Sequence, residues 1–418
     1  MNIPSSNNHY ALLALFLSPW KDEETVYNLS EYIQKGSLNW GRILFMANLH
    51  FCAPLWFVNL RKDGFLPLLP KELQSYLLHL HQANMERQDA LRKAAKEIIS
   101  NLNHIEIPVI LLKGAATFCD DLYEDAGARM MGDLDFLVKV RHIEPVKNLL
   151  RQLGYDAQAD CFGTSGFFDS SLPHHLPRYL KSGTPVAVEI HFQTAKGQAN
   201  RVLPTDFTWA NKEIKRWEGL NPGVLTPTYR LLHNTVHALV PKEAYTTSIV
   251  PLSQLAEFAY LVRRYGSVID WREWFERGNS QCLGFQFRVY LTLAHTLMGM
   301  PYPIDVPRVA FAGLHLARLS GASNNRANYL SGFETPPETA AKRIKAVAVR
   351  ILIIVFRRMN KPSWVWHNLC YRQGLRNIPI RLYCLSVFFF RRFNFKQTFD
   401  FRMLNTKFKK MLYLIKKQ

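Results

Sequence analysis

The sequence predicts an α+β fold in which a small mixed β-sheet lies between two helical regions. Apolar residues recur at helical spacing before residue 86 and again after about residue 226. Continuous apolar runs, which are typical of buried strands, cluster between residues 108 and 192. There they alternate with helical stretches in the order strand, helix, strand, helix, then strands. This order predicts one sheet with helices packed on one face.

The 418 residues are too many for one ordinary hydrophobic core, and the pattern divides them into four segments. Residues 1–85 are expected to form a helical N-terminal region and 86–215 the sheet domain. Residues 216–340 are expected to form a helical C-terminal domain. Residues 341–418 are a basic helical extension rich in apolar and aromatic side chains.

The helical segments follow from apolar spacing and helix-forming composition. A core helix is expected within the apolar run Tyr10–Trp20, and a long helix from about Glu72 to Leu102. Later helices are expected at Tyr229–Leu239, Leu252–Arg264 and Trp271–Glu276.

The sheet domain begins after Pro108. Strands are expected at Val109–Leu112, Leu134–Val140, Tyr155–Ala159 and Pro185–Phe192. Helices are expected between them at Ala115–Tyr123 and Glu144–Leu153, the second ending at Gly154.

Two aspartates mark the start of the strand LDFLVKV. Asp133 and Asp135 are two residues apart, so a strand projects both from one face, about 6.6 Å apart along it. Two acids on an otherwise apolar strand repel each other and resist burial. A divalent cation would compensate them, and carboxylate oxygens suit Mg²⁺ or Mn²⁺. The alternative is a pair of solvent-facing acids at a strand edge.

A third acid lies in the strand PVAVEIHF. Glu189 shares a strand face with His191 and needs a partner among apolar neighbours, which a cation held by the two aspartates would supply. The alternative is a surface-facing glutamate. His191 is a candidate for contact with substrate, for orienting Glu189, or for filling the sheet edge.

Three further residues suit phosphate binding. Lys113 and Gly114 end the first strand at the start of a helix, where backbone N–H groups and a positive charge favour anions. Arg129 lies four residues before Asp133 and is suited to grip a phosphate. The alternatives are a simple turn at Lys113-Gly114 and a structural salt bridge at Arg129.

Together these motifs resemble an uncharacterised bacterial nucleotidyltransferase family of the polymerase-beta superfamily. The run LLKGAATFCDDLYEDAGARMMGDLDFLV is similar to that family's LLKG, LY and R-x-x-x-D-[IL]-D segments, and VAVEIHF resembles its V-E-[IL]-H strand. His174-His175-Leu176-Pro177, the later helices and Ile269-Asp270-Trp271 extend the resemblance over roughly residues 70–300. Glu257 departs from it, because an aspartate is expected there.

The resemblance implies a nucleotidyltransferase palm that moves a nucleotidyl group from a nucleoside triphosphate to an acceptor hydroxyl. It implies that Asp133, Asp135 and Glu189 bind the catalytic Mg²⁺ or Mn²⁺ ions in a two-metal mechanism. It implies that Lys113, Gly114 and Arg129 position phosphates. No Walker A loop and no kinase signature is present.

The basic charge is concentrated at the end of the chain. Of the 52 Lys and Arg residues, 19 lie in residues 341–418, with Asp400 as the single acid there. Three interpretations remain open: a helical appendage with a basic face, contact with an anionic membrane surface, or binding to nucleic acid.

Two other functions compete with a transferase acting on a small molecule, sugar or peptide product. The motif spacing also resembles abortive-infection nucleotidyltransferase toxins that modify RNA or protein. A membrane-peripheral or nucleotide-binding scaffold without turnover is the third. Six cysteines without a C-x-x-C pair, and no signal-peptide pattern, favour a cytoplasmic protein, with association at the inner membrane as an alternative.

Overall fold

The computed structural model describes residues 2–158, 174–239 and 250–309, together with 313 and 320. The basic extension, residues 341–418, lies outside the described residues. All described residues belong to one compact unit, Met1–Glu334. Among them, no helix combines the length and apolar character that a membrane crossing requires.

A seven-stranded mixed sheet is the centre of the fold, which confirms the α+β prediction. The strands are β1 (Ile110–Leu111), β2 (Leu134–Leu137), β3 (Tyr155–Ala157), β4 (Tyr179–Lys181), β5 (Ala187–His191), β6 (Lys212–Ile214) and β7 (Gly223–Leu225). Their order across the sheet is β3-β4-β5-β2-β1-β7-β6. The pairs β2–β5 and β1–β7 are parallel, and the other neighbours are antiparallel.

Helices precede, interrupt and follow the sheet. Before it lie α1 (His9–Leu17), α2 (Glu23–Gln34), α3 (Trp40–Leu49), α4 (Ala53–Lys62) and the long α5 (Lys71–His104). Between strands lie α6 (Ile143–Gln152), α7 (Gln198–Val202) and α8 (Thr205–Ala210). After β7 lie α9 (Pro227–Leu239), α10 (Leu252–Tyr265), α11 (Trp271–Ser280) and α12 (Gly284–Met298). Short 3₁₀ helices occupy Leu66–Leu68, Lys113–Cys119, Ala126–Ala128, Val140–His142 and Gly266–Val268.

Helices cover both faces of the sheet, so the prediction that they cover one face is wrong. Alternate residues of β2 divide between two buried clusters: Leu137 belongs to the cluster that includes residues of α1, α4, α9 and α10, whereas Phe136 belongs to the cluster that includes residues of α5 and α6. Successive strand residues point to opposite faces, so both faces of β2 are buried.

The N-terminal and C-terminal helices share one of these cores. The hydroxyl of Tyr10 in α1 donates to the carbonyl of Val250 at 2.9 Å, and Ser18 Oγ donates to the carbonyl of Met298 at 2.5 Å. Two regions that are far apart in sequence therefore support the same face of the sheet. The boundaries proposed from the sequence at residues 85, 215 and 340 stay predictions.

The largest local difference lies after β1. The predicted helix Ala115–Tyr123 is instead a 3₁₀ helix at Lys113–Cys119. It begins at the lysine itself, whose φ of 49° is in the left-handed region. This tight start holds the Lys113 side chain at the end of β1, beside β2.

Candidate active site

The parallel pairing of β2 with β5 brings the predicted acids together. Its register aligns Asp135 with Glu189 and Leu137 with His191. Asp133 immediately precedes β2, and its side chain remains 26% exposed at the mouth of the site. Asp135 and Glu189, more than fifty positions apart in sequence, are thus brought together by the register in which β2 pairs with β5.

Asp135 is the most deeply buried acid of the cluster, with 2% of its surface exposed. Its Oδ1 accepts from Lys113 Nζ at 2.5 Å and lies 2.8 Å from His191 Nε2. Burial alone would raise the pKa of Asp135, but the Lys113 charge and the His191 hydrogen bond hold that pKa well below its usual range. Asp135 is therefore ionised and fixed in orientation.

Arg178 joins the other two acids. Its Nη2 donates to Asp133 Oδ2 and to Glu189 Oε1, both at 3.0 Å. Burial raises the pKa of Asp133 to about 6, with a contribution from the negative charges of Asp135 and Glu189. For Glu189, burial is outweighed by its interactions with His191 and nearby cations, which lower the pKa to about 2. Of the three acids, Asp133 is therefore the one whose pKa is raised.

His191 is buried, with 1% of its surface exposed, and faces the acids. Its Nε2 lies 2.8 Å from Asp135 Oδ1 and 3.7 Å from Glu189 Oε2. Its Nδ1 has no hydrogen-bond partner among the described residues. This geometry favours orientation of the carboxylates over direct contact with substrate, which stays a prediction.

The histidine segment noted from the family resemblance lies against this residue. His175 pairs with His191 through an isolated antiparallel bridge, and the two ring centroids are 5.2 Å apart. The His174 ring lies 5.4 Å from that of His191. Burial, with the charges of neighbouring histidines, lowers the pKa of His174 to about 3, so this ring is neutral near neutral pH.

Gly114 is buried beneath the loop that precedes β2. A Cβ at this position would overlap Met131 Sδ and lie 2.7 Å from Met131 Cγ. The Gly114 carbonyl accepts from Thr117 Oγ1 at 2.7 Å, which closes the 3₁₀ turn. Glycine is thus needed for close packing here, whatever its role toward phosphate.

Arg129 has a different setting from the acids that it precedes. Its Nε donates to Glu257 Oε2 in α10 at 2.8 Å, and the two side chains are only 13% and 5% exposed. Its Nη1 donates to the Met130 carbonyl at 2.5 Å. These contacts favour the structural salt bridge, and the phosphate role of Arg129 stays a prediction.

The donor set at the cluster fits a divalent cation. One ligand atom from each of Asp135, Glu189 and His191 lies within 4.8 Å of the others. Asp133 adds a partly exposed carboxylate on the open side. Carboxylate oxygens suit Mg²⁺ and Mn²⁺, whereas His191 Nε2 lies within hydrogen-bonding distance of Asp135.

One family model agrees with the motifs. The family model described as an uncharacterised nucleotidyltransferase matches residues 36–299, and the chain belongs to this family. A crystal structure of an antigenic nucleotidyltransferase-like protein from Paracoccidioides brasiliensis is 14% identical to the chain. That alignment covers 52% of this chain and 96% of the other, with a TM-score of 0.32. None of the curated proteins matches the chain.

One cation of the cluster, Arg178, could have been assigned from the sequence. Arg178 was not predicted, although the SGTP turn between residues 182 and 185 indicates a hairpin that places it beside β5. The antiparallel register that follows, Tyr179 opposite Val188, brings Arg178 to Glu189. Lys113 was predicted as a phosphate ligand, and in the structure it contacts Asp135.

Proposed function

We propose that the protein transfers a nucleoside monophosphate from a nucleoside triphosphate to a hydroxyl group of an acceptor. Mg²⁺ or Mn²⁺ would be held by Asp133, Asp135 and Glu189. The observation that carries this proposal is the convergence of these carboxylates at the paired strands β2 and β5. Membership of a nucleotidyltransferase family supplies the class of reaction.

In this reaction the acceptor oxygen forms a bond to the α-phosphorus of the triphosphate. The bond from that phosphorus to the oxygen bridging to the β-phosphate breaks, pyrophosphate leaves, and the hydroxyl proton is lost. Divalent cations bound at such a site neutralise the triphosphate and lower the pKa of the attacking hydroxyl. The chain's own contribution is positioning and charge.

Each residue of the cluster has a defined part in the proposal. Lys113 and His191 hold Asp135 ionised and fixed. Asp133, partly exposed at the mouth, would hold a cation that neutralises the triphosphate, and Glu189 would help to hold a cation that activates the acceptor hydroxyl. Lys113 keeps a positive charge where phosphate charge would accumulate.

The turn at Lys113-Gly114 is proposed as the phosphate cradle. It follows β1 directly, and the left-handed lysine turns the backbone sharply at the site. Backbone N–H groups in such turns form anion-binding concavities. Gly114 contributes to this turn by letting it pack closely against Met131.

Transfer of α-³²P label tests the proposal. The full chain is incubated with each labelled nucleoside triphosphate, with Mg²⁺ or Mn²⁺, and with a cell extract as the source of acceptors. We expect label in a discrete species, lost on addition of EDTA. Asp135→Asn and Glu189→Gln should each lower transfer at least about a hundredfold, because metal ligation contributes several kcal/mol.

Matched controls separate the site from general effects of charge. Asp156→Asn and Glu144→Gln remove exposed carboxylates outside the cluster and should leave transfer unchanged. Transfer that persists in Asp135→Asn would refute the metal site. Growth arrest on expression, relieved by Asp135→Ala, would instead identify a toxin that modifies RNA or protein.

A further inference from the structure

Arg178 lies immediately before β4 and reaches two carboxylates at once. Its Nη2 donates to Asp133 and Glu189 at 3.0 Å each, and its Nε lies 3.3 Å from the same Glu189 oxygen. We propose that Arg178 is an exchangeable partner of these acids. It neutralises them in the metal-free protein and turns to the triphosphate when a divalent cation takes their oxygens. This inference rests on the proposed function.

The first argument is competition for the same atoms. Asp133 Oδ2 and Glu189 Oε1 are carboxylate oxygens that the proposed cation would use, and the guanidinium holds both. A guanidinium stays charged at any accessible pH, so it cannot escape repulsion from a nearby cation by losing a proton. Metal binding and the Arg178 contacts therefore oppose each other.

Charge counting gives the same result. With His191 counted as neutral, three ionised carboxylates face the permanent cations Lys113 and Arg178, which leaves one net negative charge. A divalent cation added to this set would make it positive, whereas departure of the guanidinium would restore neutrality. A triphosphate arriving with the cation then offers new anionic oxygens to Arg178.

The side chain of Arg178 is free to make this exchange. It is 46% exposed, compared with 22% for Lys113, whose ammonium lies deeper against Asp135. Its backbone is anchored, because the Arg178 carbonyl accepts from the Gln158 amide at 2.8 Å. Only side-chain torsions need to change.

Recognition of phosphate suits this side chain better than the neighbouring cations. The planar fork of a guanidinium binds two phosphate oxygens at once. Arg129 is committed to a buried pair with Glu257, and Lys113 to the most buried acid. Arg178 is thus the cation of the cluster that can leave its partners at low cost.

Binding of Mn²⁺, followed by electron paramagnetic resonance without nucleotide, tests the first half. Arg178→Gln should bind Mn²⁺ about fivefold more tightly than wild type, the change expected for release of a partly exposed ion pair. Arg178→Lys should fall between them. Arg272→Gln removes an exposed arginine of α11 and should leave the affinity unchanged. Thermal unfolding confirms that each variant is folded.

Binding of an α,β-methylene triphosphate in the presence of Mn²⁺ tests the second half. Arg178→Gln should weaken it about tenfold, because a charge-assisted contact to phosphate is lost. If wild type binds Mn²⁺ but Arg178→Gln binds it no more tightly, the proposed competition between Arg178 and the cation is overturned, while the proposed metal site is not. Unchanged binding of the analogue by Arg178→Gln would overturn the proposed contact between Arg178 and the triphosphate. Wild-type protein that binds no Mn²⁺, or binds it equally after Asp133→Asn, would overturn the proposed metal site too.

Discussion

The buried pair between Arg129 and Glu257 should be a main support of the contact between the sheet domain and α10. Glu257→Gln keeps the size of the side chain but leaves the Arg129 guanidinium charged and 13% exposed. Breaking a buried pair from one side costs about 3–5 kcal/mol. The glutamine carbonyl still accepts one hydrogen bond, so we expect the free energy of unfolding to fall by about 3 kcal/mol.

A double-mutant cycle gives the magnitude of the coupling. Arg129→Met and Glu257→Met should each cost about 3–5 kcal/mol, because each leaves an unpaired buried charge. The double variant removes both charges and should lie within about 2 kcal/mol of wild type, a coupling of at least about 4 kcal/mol between the two positions.

Urea unfolding, followed by circular dichroism and by fluorescence of the nine tryptophans, measures these values. A loss of less than about 0.5 kcal/mol in Glu257→Gln would refute the reasoning, since that is the range of ordinary surface substitutions. Additive single variants would refute it equally. The cycle also separates the two roles of Arg129. If Arg129 acts only through its salt bridge with Glu257, the stable double variant keeps the wild-type KM for nucleotide. If Arg129 also binds phosphate, every variant that lacks it has a raised KM.

Two further predictions concern packing and pH. Gly114→Ala should lower the free energy of unfolding by about 1–3 kcal/mol, because the new Cβ overlaps Met131, and Met131→Ala should relieve part of that cost in urea unfolding. Burial, with the Lys113 charge nearby, lowers the pKa of His233 to about 4. Unfolded chains bind this proton near pH 6.5, so its contribution to stability is complete above that pH and is lost as the pH falls toward 4. Between pH 6 and 5, wild type should therefore lose about 1.2 kcal/mol more stability than His233→Asn. Equal losses in the two proteins would contradict this assignment.

Buried strands and long helices were predictable because each has a strong local pattern. The strand β5 lies within the predicted run Pro185–Phe192, and α5 extends the predicted Glu72–Leu102 by one residue at its start and two at its end. The strands β4, β6 and β7 have three residues each, too few for a period to be recognised. The shared core of the first and last helices was not predictable, because an apolar face does not specify its partner.

The acids of the site were predictable for a physical reason. Asp135 and Glu189 interrupt apolar strands, where an ionised group requires compensation. The SGTP turn could have placed Arg178 beside Glu189, whereas no local pattern showed that a 3₁₀ turn brings Lys113 to Asp135. The salt bridge of Arg129 was equally hidden from local patterns, because its partner Glu257 is 128 residues away in sequence.

The position of the transferred phosphorus tests the central claim most directly. Parallel reactions with α-³²P- and γ-³²P-labelled triphosphate, with Mn²⁺ and the acceptor fraction, are followed for label in product and in pyrophosphate. We predict α-label in the product, γ-label in pyrophosphate in equal amount, and loss of both in Asp135→Asn. γ-Label in the product, or α-label transfer that survives Asp135→Asn, would contradict nucleotidyl transfer at this site.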